Sequence, residues 1–136
     1  MTIDRRDFLK IAASTALVSF PLISKAVVSQ AKGRVVVVGG GYAGATAAKY
    51  LRTWSSGGLD VIVVEPRSQF VSCPLSNLVL GGNKNINDLT FGYDLLKSNH
   101  GIQWVSDEVV AIDAASRVVK MKQGELAYDR LVIAPG

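Results

Sequence analysis

The sequence predicts an α/β fold with a parallel sheet and flanking helices, and three observations predict it. Residues 34–38 read Arg-Val-Val-Val-Val, a β-branched run suited to a strand buried on both faces. The hexapeptide at 39–44, Gly-Gly-Gly-Tyr-Ala-Gly, follows at once and matches the pattern G-x-G-x-x-G. Residues 60–64 form a second apolar run that closes with Glu65. Strand, glycine turn, helix, strand and terminal acid in this order are typical of a Rossmann-like dinucleotide-binding unit.

The glycine turn predicts how a diphosphate is bound. Gly39 permits the tight turn, and Gly41 lets the backbone approach a pyrophosphate without a side chain between them. Gly44 lets the following helix pack closely on the first strand. We expect that helix to run from Ala43 to about residue 54, with its first amides and its dipole facing the phosphates. Tyr42 lies inside the motif and is predicted to shield the pyrophosphate.

The acid at the end of the second strand predicts which nucleotide the site accepts. Glu65 follows Gly44 by 21 residues, close to the spacing at which an acid accepts hydrogen bonds from ribose hydroxyls. A carboxylate there disfavours a 2′-phosphate, and therefore NADP. The motif itself leaves both FAD and NAD open. The sequence Glu65-Pro66-Arg67 and the position of the unit near the start of the mature chain favour FAD.

Three further segments predict a small β-meander after the first unit. Residues 105–112 have the pattern of one strand, and residues 117–122 and 125–127 form two shorter ones that turn at Gln123-Gly124. A meander of this kind completes the predicted fold class, a Rossmann-like FAD-binding domain.

The end of the chain carries a more specific resemblance. Residues 128–133 form an apolar strand that ends in Ala134-Pro135-Gly136. This resembles the strand and A-T-G or A-P-G turn of flavoproteins with two dinucleotide-binding domains, in which the chain passes back beside FAD. The same resemblance implies that the backbone of Val109 meets the adenine. It also implies that this domain is the incomplete N-terminal part of a flavoprotein with two dinucleotide-binding domains.

The first 31 residues are predicted to be an export signal rather than part of the fold. The pair Arg5-Arg6 stands before Asp7-Phe8-Leu9-Lys10 and is typical of a twin-arginine signal. The apolar run at 11–23 is shorter than the roughly 20 residues of a membrane-spanning helix, so we expect no stable membrane span. Two triplets offer small residues for cleavage, Ser29-Gln30-Ala31 and Ser24-Lys25-Ala26. The alternative is an ordinary amphipathic N-terminal helix. The dinucleotide-binding portion is then residues 32–136, in a periplasmic protein.

Composition excludes few functions. From residue 32 onward the chain has 11 basic and 9 acidic residues, a net charge of about +2. The basic residues are scattered, which gives nucleic-acid binding no support. One histidine and one cysteine cannot form a metal site.

Residues 70–94 narrow the family. The run Phe-Val-Ser-Cys-Pro-Leu-Ser-Asn at 70–77, then Gly81-Gly82 and Phe-Gly-Tyr-Asp at 91–94, resembles the flavoprotein subunit of flavocytochrome c sulfide dehydrogenase. The resemblance covers essentially residues 4–136. It implies FAD as cofactor, sulfide as substrate and a c-type cytochrome subunit as partner in the periplasm. It also implies that Cys73 belongs to a redox-active disulfide beside the flavin and is the catalytic residue of this chain.

Alternatives remain at this stage. Lone cysteines are often small buried hydrophobic residues, and the disulfide partner of Cys73 would have to come from sequence outside this chain. A sulfide:quinone oxidoreductase, another disulfide-type flavoprotein or a non-catalytic nucleotide-binding fragment also fits. The remaining polar and aromatic candidates are expected to play structural roles: His100 at a helix C-terminus, Trp54 and Trp104 in packing, and Asp107, Glu108 and Asp113 in solvent.

Overall fold

The structure is a computed structural model that describes residues 33–136. The predicted export signal at 1–31 lies outside the described residues. The elements in chain order are β1 (Arg34–Val38), α1 (Tyr42–Trp54), β2 (Asp60–Val64), β3 (Gln69–Val71), α2 (Ser76–Leu80), a 3₁₀ helix (Ile86–Leu89), β4 (Thr90–Gly92), α3 (Asp94–His100), β5 (Gln103–Val105), β6 (Val109–Asp113), β7 (Val118–Met121), β8 (Glu125–Ala127) and β9 (Arg130–Ile133).

Four parallel strands form the central sheet in the order β5-β2-β1-β9. In register, Val36 of β1 lies opposite Ile62 of β2 and Leu131 of β9. The last four residues of β1 and of β2 are buried, as expected of parallel strands covered on both faces. The carboxyl ends of the strands meet at one edge, so the glycine turn after β1 lies beside the acid after β2. The predicted fold class is confirmed.

Helices cover one face of the sheet and the meander covers the other. On the helical face, α1 buries Gly44 and Ala48 against a cluster that includes Val35, Val37 and Val63. The opposite cluster consists of the alternate valines of β1 and β2 together with residues of the meander and of the flanking strands: Val36, Val38, Val64, Val105, Val109, Val119, Met121, Leu126, Tyr128 and Leu131. Successive side chains of β1 point to opposite faces of the sheet, so this one strand contributes valines to both hydrophobic clusters.

The three-stranded antiparallel meander β6-β7-β8 is present, but its first strand was predicted wrongly. Residues 105–112 are not one strand: Val105 ends β5 in the parallel sheet, and Val109 begins β6 in the meander. Asp107 between them is buried and not solvated as expected. Its Oδ1 accepts from the amide of Glu108 at 2.7 Å, and its Oδ2 from the amide of Gln123 at 3.0 Å. These bonds hold the chain in a turn from one sheet to the other.

Residues 66–93 form an excursion that contains the β3–β4 hairpin and α2. Cys73 follows the hairpin's first strand and opens a tight turn, in which its carbonyl accepts from the amide of Ser76 at 3.1 Å. Leu75 has φ +70° and ψ +6°, the values of the third residue of a type II turn, and Pro74 suits the second position. The turn carries Cys73 at its first position, with the cysteine exposed.

The structural expectation for His100 is met at the end of α3. His100 is the last residue of α3, before Gly101 with φ +60°, as predicted for a histidine at a helix C-terminus. Within residues 33–136 no helix has the length and apolar character needed to cross a bilayer.

Candidate dinucleotide-binding site

Gly39 is required by the close approach of β9. Its φ is +99°, a conformation that side chains rarely allow. A Cβ at this position would overlap the carbonyl oxygen of Ala134 and lie 2.7 Å from its carbonyl carbon. The strands are joined here by the Ala134 amide donating to Val38 at 2.8 Å. The end of the chain predicted to flank the cofactor therefore lies directly beside the glycine turn.

Gly44 is required by the contact between α1 and the turn that precedes it. A Cβ would overlap the carbonyl oxygen of Gly39, lie 2.9 Å from its carbonyl carbon and lie 3.4 Å from a methyl group of Val37. The glycine thus sets how closely the helix N-terminus approaches the sheet. This is the packing role that the sequence motif predicts for its last glycine.

Gly41 differs from the other motif glycines because the protein itself does not require it. Its φ of −68° and ψ of −170° suit any residue. The atom nearest to a Cβ built there is a ring carbon of Phe70 at 3.9 Å, which is ordinary contact. The fold would accommodate a side chain at this position. Because Gly41 has none, that space is open for a ligand to approach the backbone.

The amides that follow Gly41 are available for that ligand. Gly41 is the N-cap of α1 and provides no side-chain cap, and the first turn holds no acid. The first intrahelical bond is the one from the Ala45 amide to Gly41 at 2.9 Å. The amides of Tyr42, Ala43 and Gly44 precede it and are the orphan donors of a helix N-terminus, where the helix dipole also favours an anion.

Glu65 is buried at the end of β2 with its carboxylate held in place by two backbone donors. Oε2 accepts from the Gly40 amide at 2.8 Å, and Oε1 accepts from the Arg67 amide at 3.0 Å. Each carboxylate oxygen has a second lone pair, so both can still accept hydrogen bonds from the vicinal hydroxyls of a ribose. The glycine turn therefore orients the acid that is predicted to bind the sugar.

A cleft of about 190 Å³ at the carboxyl edge of the sheet brings together many of the predicted site residues. It is smaller than the roughly 300–1,000 Å³ of a typical pocket for a whole ligand, so it suits one half of a dinucleotide. Its lining includes Gly39, Glu65, Pro66, Arg67, Val109 and Pro135. Asp107 and Glu108 also line it, and sequence reasoning missed both.

Two other predicted residues lie outside this cleft. Ala43 lines a separate apolar groove between α1 and Val132 of β9. Gly136 ends the chain with φ +89° and has no atom within 4 Å of a Cβ built on it. Neither is placed in the cleft with Glu65.

Tyr42 links the start of α1 to the β3–β4 hairpin. Its ring meets the ring of Phe70 edge-on with centroids 4.8 Å apart. Its hydroxyl and that of Ser72 form a hydrogen bond. Ser72 directly precedes Cys73, so this pair of contacts fixes the chain next to the cysteine relative to the helix N-terminus. The structure does not place the Cys73 side chain in the cleft that holds Glu65.

Tyr93 and Trp104 form an aromatic stack beside Glu65, and sequence reasoning missed its role. The ring centroids are 4.0 Å apart with an interplanar angle of 28°. Burial raises the pKa of the Tyr93 phenol, and the Glu65 carboxylate raises it further, while Arg67 lowers it. The phenol therefore stays neutral over a wider alkaline range.

In the described residues no group of three or more His, Cys, Asp or Glu side chains is placed to hold a metal ion.

Known proteins resemble this chain in both sequence and structure. The probable ferredoxin reductase CtmF of Castellaniella defragrans is 37% identical over 109 residues, which is 78% of this chain and 27% of that protein. The flavoprotein chain of the sulfide dehydrogenase (flavocytochrome c) of Chlorobaculum thiosulfatiphilum is 56% identical over 46 residues, 34% of this chain and 94% of that sequence. The sulfide:quinone oxidoreductase of Aquifex aeolicus superposes with a TM-score of 0.70 at 28% identity, over 76% of this chain and 24% of that one.

This chain spans about a quarter of the length of the ferredoxin reductase and of the quinone oxidoreductase. The family model described as pyridine nucleotide-disulphide oxidoreductase matches residues 33–136, which is all of the described structure. FAD is the cofactor of this family. The open space at Gly41 and the orphan amides of α1 fit its diphosphate, and the oriented carboxylate of Glu65 fits its ribose. The chain belongs to the pyridine nucleotide-disulphide oxidoreductase family, and its cofactor is FAD.

Proposed function

We propose that this chain is the N-terminal, FAD-binding part of an exported flavoprotein that oxidises sulfide and passes the electrons to a c-type cytochrome. The observation that carries the proposal is the 56% identity over 46 residues to the sulfide dehydrogenase flavoprotein chain. The ferredoxin reductase is 37% identical over a longer stretch of 109 residues. The twin-arginine motif at Arg5-Arg6 supports a periplasmic location, where c-type cytochromes work.

In this proposal the residues of the described chain bind and orient the cofactor. FAD supplies the two-electron acceptor that can release electrons singly. The first amides of α1 bind its diphosphate, Glu65 accepts hydrogen bonds from the ribose, and the Val109 backbone meets the adenine. Pro66 and Arg67 shape the mouth of the cleft, and Ala134 to Gly136 flank the cofactor.

Cys73 is proposed to act on the flavin side of the site, as half of a disulfide with a cysteine from the rest of the protein. Hydrosulfide attacks one sulfur, which forms a persulfide on that cysteine and releases the other as a thiolate. With FAD bound, this thiolate would join the persulfide sulfur as a trisulfide, and the two electrons and the proton released by that oxidation would reduce the flavin. The contacts of Tyr42 with Phe70 and Ser72 support this placement, because they hold the segment before Cys73 against the N-terminus of the cofactor-binding helix.

The test uses the full-length protein purified with its flavin. Cys73→Ser is expected to retain flavin absorbance and to lower sulfide-dependent cytochrome c reduction by a factor of about 10³ or more. Ser76→Ala is the matched control, because Ser76 contributes its amide and not its hydroxyl to the same turn. It should keep the wild-type rate.

Mass spectrometry of the non-reduced protein separates the possible roles of Cys73. A disulfide-linked Cys73 peptide supports the redox role. A Cys73 peptide that carries the mass of the flavin would reassign the residue to cofactor attachment. A free thiol together with unchanged turnover in Cys73→Ser would remove Cys73 from the mechanism.

Quinone reduction is a second candidate, favoured by the TM-score of 0.70 with the sulfide:quinone oxidoreductase. The same preparation decides between the two. Sulfide-dependent reduction of a soluble quinone that exceeds reduction of cytochrome c would favour the quinone reductase, whereas the reverse ratio supports the proposed function.

A further inference from the structure

The tryptophan on β5 contacts the glycine turn at a position that the dinucleotide motif leaves unspecified. A Cβ at Gly40 would lie 2.9 Å from Cη2 and 3.0 Å from Cζ2 of Trp104. It would also lie 3.0 Å from Cγ of Glu65. Gly40 has no positive φ, so its backbone conformation does not demand glycine. Glycine is required here because the side chains of Trp104 and Glu65 occupy the space that a Cβ would need.

Trp104 itself is held by a buried neighbour. Tyr93, which is 7% exposed, stacks on the indole, and Trp104 packs against the core on the helical face of the sheet. Its register on β5, opposite Val63 of β2, carries the ring under the turn after β1. The indole is therefore a fixed support for the turn.

Trp104 lies next to Gly40, whose amide makes one of the hydrogen bonds that orient Glu65. The Trp104 ring fills the space into which a Gly40 side chain would project, and the Gly40 amide donates its N–H to Oε2 of Glu65 at 2.8 Å. Displacement of that peptide would release the carboxylate from one of its two backbone donors, because the Arg67 amide is the other. A carboxylate free to rotate loses its orientation towards the ribose, and binding to a preorganised acceptor is tighter than binding to a mobile one.

We propose that Trp104, seated by Tyr93, is a positioning residue for FAD: it holds the Gly40 peptide so that Glu65 is oriented for the ribose hydroxyls. This inference rests on the assignment of FAD to the site and is independent of the electron donor and acceptor. The second glycine of the turn is, on this account, a requirement of the tryptophan and the acid rather than of the diphosphate.

A double-mutant cycle in the full-length protein tests the contact. Flavin content per protein is measured by absorbance after expression with limiting riboflavin, for wild type, Gly40→Ala, Trp104→Phe and the double variant. Gly40→Ala is expected to lower flavin content at least about fivefold, and Trp104→Phe about twofold, because phenylalanine can still stack on Tyr93 but lacks the outer ring that faces Gly40. For the same reason the double variant is expected to hold more flavin than Gly40→Ala and nearly as much as Trp104→Phe.

Additive losses in the double variant would overturn the proposal. Should Gly40→Ala fail to fold, Trp104→Leu gives the answer: it cannot stack on Tyr93 and is expected to lower flavin content about threefold or more. Trp54→Leu is the matched control, since Trp54 is 78% exposed on α1. Wild-type flavin content in Trp104→Leu would also overturn the proposal. Wild-type protein without any flavin would overturn the FAD assignment itself, together with this inference.

Discussion

Gly44→Ala is expected to destabilise the domain more than any other methyl-sized change in the motif helix. Alanine favours a helix interior by about 0.5–1 kcal/mol over glycine, so local propensity alone predicts a gain. The new Cβ would, however, overlap the Gly39 carbonyl oxygen, which is backbone and cannot rotate away. The helix must move off the sheet, and we expect a loss at the upper end of about 1–3 kcal/mol or beyond.

The measurement for Gly44→Ala is the free energy of unfolding by denaturant, followed by circular dichroism on the full-length protein. Gly124→Ala is the control, because no atom lies within 4 Å of its Cβ and its φ is not positive. It should change stability by no more than about 0.5 kcal/mol. A Gly44→Ala protein as stable as the control would show that α1 does not lie as close to the turn as described.

Gly41→Ala is expected to change the free energy of unfolding little and to weaken FAD binding strongly, the opposite of Gly44→Ala. The fold accepts the methyl group, since its nearest neighbour would be a Phe70 ring carbon at 3.9 Å. The methyl group would instead stand between the diphosphate and the first amides of α1. We expect flavin content to fall at least about tenfold, which corresponds to about 1.4 kcal/mol of binding free energy.

A second substitution at the same position separates binding from helix capping. Serine is a better N-cap than alanine, so Gly41→Ser should be at least as stable as Gly41→Ala. Its side chain is larger, and flavin content should therefore fall in this variant as well. Wild-type flavin content in Gly41→Ser would mean that the diphosphate does not pass over this glycine.

The β1-α1-β2 unit was predictable because its signals are local. A run of valines, a fixed spacing of glycines and an acid at the end of the second strand each constrain the backbone within a few residues. The packing role predicted for Gly44 depends on a neighbour inside the motif, the Gly39 carbonyl. The positive φ of Gly39 agrees with the predicted tight turn, whereas its contact with Ala134 comes from the far end of the described chain.

The break between β5 and β6 was missed because residues 105–112 were interpreted as one strand. The polar run Ser106-Asp107-Glu108 interrupts their apolar residues, and the chain leaves the parallel sheet after Val105. The deciding feature is Asp107, whose carboxylate is buried by hydrogen bonds to the Glu108 and Gln123 amides. One of these partners lies 16 residues away, and nothing in the local sequence marks it.

The role of Trp104 was hidden for the same reason. A tryptophan on a short strand is most simply a packing residue, and the interpretation was incomplete because its partners are distant in sequence. Gly40 and Tyr93 meet it only once β5 takes its place beside β2. Long-range register, rather than residue type, makes it part of the site.

The measurement that tests the central claim most directly is an experimental structure of the full-length protein with its flavin. The account predicts diphosphate oxygens within about 3 Å of the amides that follow Gly41, and ribose hydroxyls within about 2.8 Å of the Glu65 carboxylate. A diphosphate bound away from this turn, or a Glu65 carboxylate that faces no sugar hydroxyl, would contradict it.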